Sequence, residues 1–118
     1  MGSLAVKLIA AGLLSGIFIG CADTPTLYDW GTYEDAIYDM YIEPGKSSLS
    51  DQILQFEEQI EQAAAAGKSV PPGFHAHLGY LYVNDGEYNS AVIHFQKEKE
   101  MYPESTDFID GILQRMKK

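Results

Sequence analysis

The chain has 118 residues, with 17 acidic and 8 basic side chains and a formal net charge of −9 at pH 7. This length is enough for one small domain with a single hydrophobic core and too short for two. A strongly acidic surface repels DNA, RNA and anionic headgroups, so we expect no nucleic-acid partner.

The N-terminal segment has the features of a secretory signal. Lys7 precedes an uninterrupted apolar stretch over residues 8–19. That stretch is shorter than the roughly 20 residues that span a bilayer. Cys21, the only cysteine, follows at once. In an oxidising compartment a lone cysteine has no intramolecular disulfide partner. The alternative is a plain secretory signal with an incidental free thiol.

The segment Phe18-Ile19-Gly20-Cys21 resembles the lipobox of bacterial lipoproteins, with Phe18 where leucine is usual. The resemblance implies diacylglycerol on the Cys21 sulfur, cleavage after Gly20 and acylation of the new amine. Ala22 in place of aspartate implies, by resemblance to enterobacterial sorting, a lipid anchor on the periplasmic face of the outer membrane. Loss of residues 1–20 would leave 98 of the 118 residues with 7 basic and 17 acidic side chains, a formal −10.

We therefore predict a signal peptide over residues 1–20, a lipidated N-terminus and polar tether over residues 21–27, and a helical domain over residues 28–118. Thr32 and Asp35 form the pattern of a capping box at the start of the first helix. Its apolar positions follow a helical period that ends before Pro44, and they are Tyr33, Ala36, Ile37, Met40 and Tyr41.

Four further helices are predicted, and no alternating strand pattern occurs. Ser48 and Asp51 cap a second helix over residues 49–66, whose glutamates and glutamines face outward and whose buried stripe is Leu49, Ile53, Phe56, Ile60 and Ala63. The third and fourth helices cover residues 73–84 and 87–101. Ser105 caps the fifth, with Phe108, Ile109, Ile112, Leu113 and Met116 as its buried side.

The third and fourth helices resemble a tetratricopeptide repeat, a helical hairpin with the pattern W-x2-L-G-x2-Y, A-x3-F and P. The matching residues are Leu78, Gly79, Tyr82, Ala91, Phe95 and Pro103, with His75 at the Trp position. We expect Gly79 and Ala91 to face each other across the hairpin. The first helix resembles the second half of such a repeat, because Gly31, Tyr33 and Ala36 are spaced like Gly86, Tyr88 and Ala91.

Almost the whole remainder after residue 20 resembles a family of small uncharacterised bacterial lipoproteins that contain a domain of unknown function. The segments that carry the resemblance are residues 27–33, 71–82 and 102–105. In this family the gene lies beside one for a lipoprotein similar to the curli secretion pore. The resemblance implies an envelope complex with such a protein as partner.

Neither catalytic chemistry nor a cofactor is indicated by the sequence. His75 and His77 are two apart on a helix and point about 200° apart, so they cannot converge on one metal ion. His75 is predicted to be a packed interior residue and His94 to lie near the surface. Phosphate loops and nucleophile elbows are missing from the sequence, so we expect no enzyme activity and no metal.

We therefore expect a non-catalytic interaction adaptor held at the outer membrane. By resemblance to other repeats, its ligand-facing positions are Ala76, Tyr80, Val83 and Asn84, which lack Lys or Arg, unless other helices of the chain cover them. Tyr28 and Trp30 are the second candidate contact, or they fix the tether to the core. The alternatives are a periplasmic cell-wall-acting enzyme, a ligand-binding lipoprotein, or a purely structural envelope component.

Overall fold

In the computed structural model, which describes residues 25–117, this part of the chain forms five α-helices and no β-strand. The elements are α1 (Tyr33–Ile42), α2 (Leu49–Ala65), α3 (Phe74–Asp85), α4 (Tyr88–Met101), a 3-10 turn (Pro103–Ser105) and α5 (Thr106–Met116). The predicted all-α fold with about five helices is confirmed. The predicted signal peptide over residues 1–20 and the lipidation of Cys21 lie outside the described residues.

The helix starts differ in how they are capped. The Ser48 hydroxyl oxygen accepts from the Asp51 N–H at 3.1 Å, so the predicted cap of α2 is confirmed. The capping box predicted at Thr32 is wrong, because within the described residues its side chain makes no capping bond to α1. Its hydroxyl instead accepts from Gln55 Nε2 at 2.9 Å and thereby joins α1 to α2.

The larger cluster of buried side chains lies between α1, α2 and α3. The predicted stripe of α2 supplies Ile53, Phe56 and Ala63, and α3 with the preceding loop supplies Val70, Phe74, Leu78 and Leu81. Aromatic rings dominate its centre, where Phe56 and Phe74 have ring centroids 4.7 Å apart. Such pairs add to the free energy of burial by about 1 kcal/mol.

Two predictions about which side chains face this core are wrong. Tyr41 is 74% exposed, because α1 rests on the core only through Tyr33, Ala36 and Ile37. Gln59 was expected to face outward with the other glutamines of α2, but it is buried. Its Nε2 donates to Asp29 Oδ1 at 3.0 Å, which satisfies the buried amide.

A smaller cluster joins α4 to α5. Its fully buried members are Ala91, Phe95 and Ile109, and Ile112, Leu113 and Met116 pack against it. Phe108 was also predicted to be buried and is 65% exposed. It adjoins Ile109 on the helix, about 100° around the axis, so both residues cannot point into the same narrow cluster.

Among the helices described, none is both long and apolar enough to cross a membrane.

Candidate interaction groove

The hairpin of α3 and α4 depends on one close approach. A Cβ added at Gly79 would lie 2.8 Å from the Phe95 ring, so only glycine allows this ring to pack against α3. The expected partner of Gly79 was Ala91, but the nearest atoms belong to Phe95. Of the predicted repeat residues, Leu78, Gly79, Ala91 and Phe95 are buried, Tyr82 is half-buried and Pro103 is exposed.

A buried carboxylate fixes the N-terminus of α3 against α4. Glu98, on α4, is 1% exposed. Its Oε1 accepts from the Gly73 N–H at 2.6 Å and its Oε2 from the Ala76 N–H at 3.1 Å. These N–H groups belong to the first turn of α3, where helices lack internal partners and favour negative charge. Glu98 therefore sets the position of α3 relative to α4.

Three helices surround an open apolar groove of about 460 Å³ beside this hairpin. We call it the α5 groove, and it is lined by Tyr80, Val83, Tyr88, Phe95, Ile112, Arg115 and Met116. A smaller depression of about 270 Å³ adjoins it, shares Tyr88 and Met116, and ends at Lys117. Tyr80 is 51% exposed and Tyr88 is 58% exposed, so large apolar rings remain accessible.

The predicted ligand-facing residues of α3 differ in their exposure and in whether they line the α5 groove. Tyr80 and Val83 line the α5 groove, and Tyr80 stays half exposed. Ala76 and Val83 are half-buried because they pack on the smaller cluster. Asn84 is exposed and does not line the groove. The helices of the chain thus cover part of this surface and leave Tyr80 accessible.

Five of the seven residues that line the α5 groove were not predicted from the sequence to face a ligand. Ile112 and Met116 were predicted only as core residues, and Tyr88 and Phe95 only as part of the repeat pattern. Arg115 corrects the expectation that the groove lacks a basic side chain, since α5 adds this residue to the lining. The amphipathic pattern of α5 predicts which of its side chains face the other helices. The packing angle of α5 against α4 decides which of these side chains remain accessible.

The second candidate contact, Tyr28 and Trp30, divides between core and surface. The Tyr28 ring packs edge-on against Tyr102 at 6.0 Å. The next residue, Asp29, donates its N–H to the Ser69 carbonyl at 2.9 Å. Trp30 packs against Tyr33 at 6.2 Å and stays 42% exposed. Tyr28 therefore fixes the chain to the fold, whereas Trp30 keeps a free face.

Two of the three histidines, His75 and His94, lie closer together than the sequence indicated. His75 is buried as predicted, but His94 is half-buried rather than superficial. Their Nδ1 atoms are 3.0 Å apart. Burial, with repulsion from His94 and Lys97, lowers the pKa of His75 to about 4. Burial also lowers the pKa of His94, against the opposing charge of Glu57.

Further contacts surround this pair. Tyr82 stacks on His94 at 5.4 Å and donates its hydroxyl to Glu57. Burial and this bond raise the pKa of Tyr82 to about 12. Within residues 25–117, no group of three or more His, Cys, Asp or Glu side chains is placed to hold a metal ion. The pair is thus a hydrogen-bonded element of the hairpin.

A second cleft, of about 430 Å³, lies between α1 and α2. Its walls carry Asp35, Asp39 and Glu43. Lys46 pairs with Asp39 at 2.9 Å and with Glu43 at 3.2 Å; the Lys46 and Glu43 side chains are more than half exposed to water, and that of Asp39 is partly exposed. Ion pairs in such solvated surroundings contribute little to stability.

The fold and the groove define a small all-helical protein that presents an apolar concave surface on a helical hairpin. The chain belongs to the family described as domain of unknown function (DUF4810), whose sequence model matches residues 27–112. Comparison with curated proteins and with solved structures found no match.

Proposed function

We propose that this protein is a lipid-anchored adaptor of the bacterial outer membrane, which holds an envelope protein through the α5 groove without catalysing a reaction. The observation that carries the proposal is the exposure of Tyr80 and Tyr88 at a groove lined by three helices. Partly exposed aromatic rings at concave sites are the side chains that concentrate binding free energy at protein interfaces.

We also propose that α3 and α4 form a tetratricopeptide-like hairpin, and their packing supports this. The repeat pattern requires a small residue where two helices approach, and Gly79 receives the Phe95 ring there. Leu78 and Ala91 are both fully buried, as the pattern requires. Repeats of this kind serve as protein-binding scaffolds, since stacked hairpins leave one concave face accessible.

The membrane anchor is proposed from the sequence alone. The apolar stretch before Cys21 and its similarity to a lipobox support acylation at that residue. A partner similar to the curli secretion pore, and with it a role in envelope assembly or secretion, is supported by the resemblance to the lipoprotein family.

Affinity capture of the intact, acylated protein from solubilised outer membranes tests the proposal. We expect one envelope protein to be enriched with the wild type and lost with Tyr80→Ala. Intact mass should show acyl chains on a chain that begins at Cys21. Recovery of Cys21→Ser protein in the membrane fraction with unchanged acylation would refute the anchor. Equal capture by wild type and Tyr80→Ala would refute the groove.

A further inference from the structure

The chain enters the described fold beside the loop between α2 and α3. Asp29 donates its N–H to the Ser69 carbonyl at 2.9 Å, and Lys68 Nζ lies 3.4 Å from the Thr26 hydroxyl. Tyr28 packs on Tyr102 at the end of α4. Residues 26–29 are thus attached to this one end of the domain.

The number of residues between anchor and fold limits how far this end can be from a membrane. Leu27 follows Cys21 by six positions. A fully extended chain spans at most about 3.6 Å per residue, so the Leu27 Cα stays within about 22 Å of the Cys21 Cα. This step rests on the proposed acylation of Cys21.

Apolar side chains are exposed at the same end. Leu27 is 77% exposed and Trp30 is 42% exposed. Tryptophan concentrates at the boundary between lipid and water, because its ring is apolar and its N–H needs a polar partner. Isolated exposed apolar residues are ordinary on any surface. These two, however, directly follow the segment that would carry the anchor.

The charge at this end also differs from that of the rest of the chain. Neither Asp nor Glu occurs over residues 62–84, which include the end of α2 and the adjoining loop, and Lys68 is the only Lys or Arg there. Asp29, at the entry of the chain, accepts through Oδ1 from the Gly31 N–H at 3.1 Å and from Gln59 Nε2 at 3.0 Å. Glu98 and Glu104 lie near Tyr102 at the same end, and Glu98 is buried. The loop between α2 and α3 therefore adds a basic side chain and no carboxylate to the surface at this end.

We propose that Leu27, Trp30 and Lys68 form a membrane-seating patch, which rests on the lipid surface that holds the acyl chains of Cys21. Leu27 and Trp30 enter the headgroup boundary, and the Lys68 ammonium lies beside lipid phosphate. Tyr28 contacts Tyr102, which follows the last residue of α4, whereas Tyr88 begins this 14-residue helix. At 1.5 Å per residue the two ends of α4 are about 20 Å apart. The Tyr88 end of the α5 groove therefore lies away from the membrane.

Trp30 is the single tryptophan of the chain, so its fluorescence reports on the patch directly. The probe is the intact acylated protein in vesicles of phosphatidylethanolamine and phosphatidylcholine, with and without bromine on the acyl chains. We expect the emission to move to shorter wavelength than that of soluble Cys21→Ser protein. We also expect brominated lipid to quench it.

Two matched comparisons locate the contact. The double variant Trp30→Phe and Tyr88→Trp carries its one indole at the far end of α4 and should escape quenching. Leu27→Glu should reduce the quenching of Trp30, whereas Leu54→Glu, at a 53% exposed position of α2, should leave it unchanged. Both glutamates are placed at exposed sites, so the fold is preserved.

Vesicle flotation and intact mass, measured on the same samples, separate this proposal from the anchor. Acylated protein that floats while Trp30 is unquenched would overturn the patch and leave the anchor standing. Equal quenching at positions 30 and 88 would also overturn the patch. Protein without acyl chains would overturn the anchor and, with it, the patch that depends on it.

Discussion

The carboxylate of Glu98 accepts a hydrogen bond from the Gly73 N–H at 2.6 Å, although the two residues lie 25 positions apart. Gly73 has a φ of 90°, a left-handed conformation that glycine adopts without strain. The acidic side chain and the left-handed glycine together define where α3 begins. The groove residues of α3 take their position from this contact.

Removal of the Glu98 carboxylate should destabilise the protein strongly. Glu98→Ala leaves the Gly73 and Ala76 N–H groups without their acceptor, and each unsatisfied buried group costs about 1–3 kcal/mol. We expect the free energy of unfolding in urea to fall by about 2–4 kcal/mol. Glu100→Ala is the matched control, since the Glu100 side chain is 68% exposed on the same helix. Equal, small losses in the two variants would contradict the capping role.

The two helical glycines Gly79 and Gly111 should respond oppositely to alanine. A methyl at Gly79 would lie 2.8 Å from the Phe95 ring, closer than the two can pack. Gly79→Ala should therefore cost about 1–3 kcal/mol, and Gly79→Leu more. At Gly111 the nearest atom is the end of the Arg115 side chain at 3.6 Å. Gly111→Ala should gain up to about 1 kcal/mol of helix propensity, as measured by thermal unfolding.

If both alanine variants were equally stable, the close approach of α3 and α4 at Gly79 would be wrong.

Stability should fall as the solution is acidified from pH 6.5 towards pH 4, because burial lowers the pKa of His75 from 6.5 to about 4. Between these values the unfolded chain binds a proton that folded His75 does not, so unfolding becomes easier. The contribution of neutral His75 to the free energy of unfolding is complete above pH 6.5. It reaches up to about 3 kcal/mol, since one pKa unit corresponds to about 1.36 kcal/mol. His94 and Lys97 act in the same direction as burial.

The measurement compares urea unfolding of wild type and His75→Phe across this pH range. Phenylalanine keeps the ring and removes the titrating group, so the variant should lose less stability on acidification than the wild type. The comparison cancels the carboxylates, which titrate in both proteins. Parallel losses in wild type and variant would show that His75 does not carry the effect.

Helices were predictable from the sequence because their signals are local. The Ser48 cap, the stripe through Ile53 and Phe56 and the turn at Gly86 each depend on residues a few positions apart. The predicted α2 ended at residue 66 and the observed helix ends at Ala65. Such patterns reflect helical periodicity and hydrogen bonding within one turn.

Errors arose where a distant partner decides the outcome. Gln59 is buried because Asp29, 30 positions away, accepts its N–H. The Thr32 hydroxyl accepts a hydrogen bond from Gln55, 23 positions away, and does not cap its own helix. Glu98 was counted with the solvated acids, although two backbone N–H groups of α3 hold it in the core. These pairings depend on how the helices pack against one another. The spacing of residues along a single helix does not predict that packing.

Only two of the seven residues that line the candidate site were predictable, for the same reason. The repeat pattern identified Tyr80 and Val83 on α3, which do line the groove. Arg115 and Met116 reach the groove only because α5 packs across α4, where Lys99 pairs with Asp110 at 2.5 Å. The orientation of α5 therefore determined which of its residues line the site.

Alanine at Tyr80 and alanine at Phe95 should have different effects on the stability of the hairpin. Tyr80 is half exposed, so Tyr80→Ala should change the melting temperature little. Phe95 is 1% exposed beneath Gly79, so Phe95→Ala should cost about 3–5 kcal/mol. Far-UV circular dichroism on heating tests both. A large loss in Tyr80→Ala would mean that Tyr80 supports the fold rather than a partner.

Capture of an envelope protein by Tyr80→Ala, compared with Tyr41→Ala, tests the adaptor role most directly. Both tyrosines are exposed, Tyr41 at 74% on α1 and Tyr80 at 51% in the groove. We predict that the captured protein is lost with Tyr80→Ala and retained with Tyr41→Ala. Added salt should hardly change capture, since among residues 25–117 Arg115 is the only charged residue lining the groove. Equal capture by both variants, or release of the partner by moderate salt, would contradict an apolar docking groove.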